Sequence, residues 1–212
     1  MTPKPTIISE VNQLFSKSFS NLLPFCADTT FHNCNRPYFH ISNTGIPGRP
    51  KAESVWAFID SNNLHWGAKE QGWKIDWPSF REYLQDVHSV EKAIMFMGRL
   101  KEYAWLYRQL EQSGFELIFN KTARISNNRI DGGNIDAALA ASIMDHKNDY
   151  DSVILVADDS DYSNAIERLQ RQSKLKIIIS PHSIDKTSKQ IKKIVGNEKV
   201  ISISTIRSLI QK

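Results

Sequence analysis

Aspartates are the residues of this chain best placed to do chemistry. Asp60 opens the run Asp60-Ser-Asn-Asn-Leu64, directly after a short apolar stretch. A second run, Asp158-Asp-Ser-Asp161, follows another apolar stretch ending at Ala157. A third carboxylate, Asp136, stands near the start of GNIDAALAASIMD (residues 133–145), beside the stripe Ile135, Leu139 and Ile143. A charge beside a core-facing stripe is expensive unless a partner sits opposite it. Carboxylates brought to one point repel, and a divalent cation relieves that repulsion. Oxygen-only ligands favour Mg²⁺ or Mn²⁺ over zinc. The bland alternative is that these aspartates only cap helices or shape turns. It fits either run alone, but it fits less well when two strand ends and a helix all supply Asp.

The elements that would position these residues follow from periodicity. After Lys51 short apolar strands alternate with helices of about ten residues. Strands are expected at 55–59, 93–97, 115–119, 152–156, 176–179 and 200–203. Helices are expected at 78–87, 102–112, 135–144, 164–171, 186–195 and 205–210. That alternation predicts an α/β fold, a mostly parallel sheet with helices on both faces. Such sheets carry their sites at the carboxyl ends of the strands, where Asp60 and Asp158–Asp161 fall.

Residues 1–50 read as an N-terminal extension ahead of a domain at 51–212. They hold only six charged residues and many Asn, Ser, Thr and Pro. Ile7, Val11, Leu14, Phe15, Phe19 and Leu22 recur at helical spacing, so residues 6–22 predict an amphipathic helix. Its polar face is poor in basic residues, which points to packing or homo-oligomer formation rather than to a membrane surface. Residues 43–50 read as a turn-rich linker. Cys26, His32, Cys34 and His40 could ligate a metal, but their C-x5-H-x-C-x5-H order lacks the close pairing of zinc modules.

Composition narrows the class. The balance of 41% hydrophobic and 24% charged residues is that of a soluble globular chain. No stretch is apolar enough to span a bilayer and no secretory signal pattern opens the chain. Two cysteines, Cys26 and Cys34, argue against a disulfide scaffold and suit a reducing cytoplasm. The net charge of +4 suits a polyanionic partner without proving one. His65, His88, His146 and His182 fit no Ser or Cys triad, and there is no Gly-rich phosphate loop. Asp159-Ser-Asp161 has the look of a phosphatase D-x-D start, but only about fifty residues follow it.

Three segments together resemble a known family. AFIDSNNLHWG (residues 57–67) is similar to a "D-x-x-N-L" opening, GNIDAALAASIMD to a "V-D-x-x-L" helix, and VILVADDSDYSNAIERLQ (residues 153–170) to an "S-G-D-S-D-F" segment. These are landmarks of NYN domains, including the LabA-like group, within the PIN-like nucleases, and the resemblance covers about residues 54–212. It implies a metal-dependent ribonuclease, with Asp60, Asp136, Asp159 and Asp161 as Mg²⁺ or Mn²⁺ ligands and Asn63 as a polar companion in the catalytic group. The substrate it implies is RNA, with single-stranded DNA as the alternative; some relatives bind without cutting. The chain departs from the pattern at Asp158, where the family has Gly, and at Ser142, where an acid is common. It also lacks a Lys shortly before the central Asp, leaving Arg129 as the nearest cation.

Substrate contacts are expected from cations and aromatics. Lys101, Trp105 and Arg108 fall on one helix face; Lys121, Arg124 and Arg129 cluster before the central helix. They could neutralise phosphates while Trp105 or Trp66 stacks a base. Taken one at a time, each reads more simply as a solvated cation or a core aromatic. Lys186, Lys189, Lys192 and Lys193 read as the exposed face of a helix, and Tyr103, Leu106, Tyr107 and Leu110 as core.

Overall fold

Short runs rich in Val, Ile, Leu, Phe and Met become six strands in the computed structural model, which describes residues 52–120, 124–126, 129–131 and 135–212. They are β1 (Val55–Asp60), β2 (Val90–Gly98), β3 (Phe115–Asn120), β6 (Ser152–Val156), β7 (Leu175–Ser180) and β8 (Val200–Ser202). Two short strands, β4 (Arg124–Ser126) and β5 (Arg129–Asp131), pair antiparallel as a separate ribbon that the sequence reading did not anticipate. The six pair in parallel in the order β3-β2-β1-β6-β7-β8. The chain winds outward from β1 to β3, then returns to the other side of β1. The strand order therefore reverses between β1 and β6, the place where sheets of this kind open a crevice.

Helices cover both faces. These are α1 (Ser61–Glu70), α2 (Trp77–His88), α3 (Ala104–Gln112), α4 (Ile135–Asp145), α5 (Ser163–Arg171), α6 (Lys189–Val195) and α7 (Arg207–Ile210). Strand alternation sorts the core into two layers. Val55, Ala57 and Ile59 of β1 pack with Leu64, Phe80, Leu110 and Ile210, under α1, α2, α3 and α7. Phe58 points the other way, to Leu139, Ile143, Ile166 and Ile191 of α4, α5 and α6. Asp60 continues the phase of Phe58 and so comes to the α4 and α5 side.

The expected architecture stands, with local corrections. Residues 61–70 form a helix where a turn-like opening was read. The stretch expected as helix from 186 begins only at Lys189, because Thr187 is buried and tied to the Ser180 hydroxyl. The segments 102–112 and 205–210 each begin as a 3-10 turn, Lys101–Tyr103 and Ile203–Ile206. Tyr103 is 38% exposed and not core, whereas Leu110 is buried and Leu106 and Tyr107 pack against the core. Lys192 is half-buried and donates to the Ile184 carbonyl, so it is no plain solvated lysine. The helix at 6–22, any self-association through the extension, the Cys26, His32, Cys34 and His40 group, and Lys121 lie outside the described residues. No helix among the described residues is long and apolar enough to cross a membrane.

Gly67 decides how α1 sits. A Cβ there would collide with the Pro181 carbonyl, so glycine alone lets the helix approach the loop after β7. Gln71 fastens the contact, its Nε2 lying 2.9 Å from both the Gly67 and Pro181 carbonyls.

Candidate active site

Asp60 ends β1 and caps α1 at once. Its Oδ1 accepts from the Asn63 backbone N–H at 3.0 Å, while its Oδ2 faces the Tyr162 hydroxyl at 2.9 Å. Capping and site formation are thus no longer rivals, because a carboxylate has two oxygens and each does one job. The same Tyr162 hydroxyl lies 2.6 Å from Oδ1 of Asp136, in the first turn of α4. This is the partner that a charge beside a core-facing stripe requires. Tyr162 ends the 3-10 turn Ser160–Tyr162 after β6 and is fully buried. One side chain thus joins three elements across the reversal point of the sheet.

The electrostatics of this group are unbalanced. Burial, with the nearby Asp136 charge added, pushes the Asp60 carboxyl up to about 6, against the lowering effect of its bonds to Asn63 and Tyr162. Burial and the two carboxylates drive the Tyr162 phenol far above its ordinary value, so it stays neutral. The donor set is hard oxygen only and short of positive charge, a chemistry that suits a divalent cation.

Asn63 does more than accompany the acid. Its side-chain oxygen accepts from the Asp158 N–H at 3.4 Å and so ties the loop after β1 to the loop after β6. Asp159 caps the 3-10 turn, its Oδ1 accepting from the Asp161 N–H at 3.3 Å. Asp159 and Asp161 are exposed on that turn. Asp60 and Asp136 are the pair that the fold brings together; among the described residues no group of three or more His, Cys, Asp or Glu is close enough to hold a metal ion as it stands.

Asp158 adds no charge to the pair. Its buried carboxylate accepts from the Ser180 hydroxyl at 2.6 Å and the His182 N–H at 3.2 Å, and its Oδ2 lies 2.9 Å from His182 Nδ1. Thr187 donates on to Ser180 at 2.7 Å. His182 Nε2 is 3.9 Å from Glu70, which also pairs with Lys186 at 3.0 Å. Neither this network nor the role of Tyr162 was read from the sequence. A buried tyrosine demands a hydroxyl partner, and that is the one signal the sequence offered.

The substrate candidates divide. Lys101, Trp105 and Arg108 are all exposed, Trp105 at 57%, near the carboxyl end of β2, the strand beside β1. The loop leading to them is pinned by Tyr107, whose hydroxyl donates to the Gly98 carbonyl at 3.1 Å and accepts from the Leu100 N–H at 2.8 Å. Trp66 is half-buried beneath the Lys69 ammonium, 4.4 Å from its ring centre. Arg124 and Arg129 lie on the β4-β5 ribbon, opposite Asp131 and Ser126 respectively.

Comparison with known proteins agrees with this architecture. The family model of the NYN domain matches residues 54–196. A crystal structure of a protein of unknown function from Vibrio parahaemolyticus superposes with a TM-score of 0.57 at 19% identity, covering 73% of this chain and 96% of that one. That likeness is one of fold. No curated protein matches. The matched segment spans β1, α4, β6 and the whole Asp60–Tyr162–Asp136 group, and the chain belongs to the NYN domain family of PIN-like nucleases.

Proposed function

We propose that this chain is a metal-dependent endoribonuclease that hydrolyses phosphodiester bonds in single-stranded RNA, acting in the cytoplasm. The observation that carries the reading is the meeting of Asp60 and Asp136, from a strand end and a helix start, around one shared hydroxyl in a nuclease fold. Asp60 and Asp136 would hold Mg²⁺ or Mn²⁺, with Asp159 and Asp161 supplying further oxygens from the next turn. Such an ion, when bound, acidifies water and offsets charge at phosphorus. Asn63 keeps the two acidic loops in register through its bond to Asp158. Lys101 and Arg108 would neutralise phosphates, and the exposed face of Trp105 would stack a base, a mode that accepts any sequence. Arg124 and Arg129, from the β4-β5 segment, would be further cations for phosphates.

The test is cleavage of a labelled single-stranded RNA in Mn²⁺ and in EDTA. Wild type should cut only with metal. Asp136→Asn and Asp161→Asn should each lose about a hundredfold or more while keeping their circular dichroism, as expected for losing a group that stabilises the transition state. Cleavage of either variant within about threefold of wild type overturns the assignment. RNA binding without any cutting by wild type would make this a binding or regulatory member of the family, and preferential cutting of DNA would move the substrate class.

A further inference from the structure

The Tyr162 ring belongs to the core layer of Phe58, Leu139 and Ile166, which accounts for its burial. That packing does not account for its hydroxyl. The phenol has one proton for two carboxylates, so Asp136 and Asp60 compete for it. Whichever way it leans, the other carboxylate is left short of a donor. A cation of the Mg²⁺ or Mn²⁺ class approaches its oxygen ligands to about 2.1 Å. A cation shared by Asp60 and Asp136 would compete with this hydroxyl for the oxygens it holds, Asp60 Oδ2 at 2.9 Å and Asp136 Oδ1 at 2.6 Å.

We propose that Tyr162 is an internal placeholder for the metal: its hydroxyl holds Asp60 and Asp136 together in the metal-free protein and must leave before one cation can bridge them. The inference rests on the metal reading given under Proposed function and deepens it. The residue that must move belongs to the turn that carries the outlying acids, since Tyr162 ends Ser160–Tyr162, Asp161 is its middle residue and Asp159 caps it. Displacing the hydroxyl by a movement of that turn would carry Asp159 and Asp161 with it. Metal entry and completion of the ligand set become one event.

The experiment is calorimetric titration of the full chain with Mn²⁺, wild type beside Tyr162→Phe. The phenylalanine keeps the ring and frees the two oxygens, so the variant should bind Mn²⁺ about tenfold more tightly, the worth of one hydrogen bond to a charged group. It should also melt at a lower temperature in EDTA, where the two carboxylates face each other unbridged. Saturating Mn²⁺ should produce a tyrosine difference spectrum in wild type that the variant lacks. Equal or weaker binding by a folded Tyr162→Phe leaves the metal reading standing and overturns the placeholder. Failure of both proteins to bind Mn²⁺ overturns the metal reading, and the placeholder with it. If the variant does not fold, the spectrum decides alone: no tyrosine perturbation in metal-saturated wild type overturns the placeholder.

Discussion

Two buried aspartates at the same sheet edge have opposite surroundings. Asp158 faces the Ser180 hydroxyl, the His182 N–H and the His182 ring, so its carboxylate is supplied with donors. Asp60 has the backbone N–H groups of Asn63 and, more weakly, Asn62, and a share in a tyrosine proton that Asp136 also claims; no cation or imidazole faces it among the described residues. Burial is nearly equal, at 6% and 4% exposure. What differs is the kind of partner: an imidazole stands beside Asp158, and a second acid stands beside Asp60. A carboxylate whose donors are complete serves the fold, whereas one left short of positive charge is held ready for something not in the chain. Being acidic and adjacent in sequence to Asp159 does not make Asp158 part of the site.

The sharpest way to break this contrast is to remove the two kinds of carboxylate and watch stability in EDTA. Asp158→Ala strands two donors and an imidazole and should cost about 3–4 kcal/mol by urea denaturation. Asp136→Asn, by contrast, should leave the protein equally stable or more stable by about 0.5–2 kcal/mol, because it removes repulsion and keeps an acceptor for Tyr162. Equal losses in both would erase the distinction. His88 extends the comparison to a buried titratable group far from the carboxyl edge. Burial holds its imidazole down to about 4, with Nε2 lying 3.0 Å from the Tyr83 hydroxyl. The unfolded chain protonates near 6.5 while the native one resists, so stability should fall as pH drops from about 6.5 towards 4, by about 3 kcal/mol. His88→Gln should flatten that slope without touching metal binding. The smallest effect belongs to recognition. Lys101→Ala with Arg108→Ala should weaken RNA binding alike for all sequences and reduce the salt slope by about one to two units. An unchanged slope returns both residues to ordinary surface.

The sheet was legible because each strand is a short apolar run and each crossover a helix-length segment, which fixes pairing sense as well as order of elements. The helix at Ser61–Glu70 was not, because its buried face amounts to Leu64, Gly67 and Ala68, too small a stripe to stand out. Its start signal, Asp60, was in view, but its cap or turn role stood as a rival to chemistry rather than as the start of a helix. Asp60, Asp136 and the acidic turn were visible as residue types at strand ends. The side on which Asp158 would fall was not, since it depends on Ser180 and His182, more than twenty residues away. Tyr162 was hidden by its own ring: an aromatic at a helix start reads as core, and only coordinates reveal where its hydroxyl ends.

Gly67 sets a tolerance for all of this. Because α1 touches the Pro181 carbonyl with no side chain between, the helix has a hard stop against the β7 loop. The first turn of that helix bears Asn63 and is capped by Asp60, and the β7 loop bears His182, which braces Asp158. A methyl group at position 67 would act as a shim, altering the gauge between the two acidic loops from a point that is neither acidic nor polar. In a library of random substitutions, this position should therefore behave like a catalytic one, intolerant of even alanine. Gly72, with open space around its Cβ position, has only its backbone angle to defend.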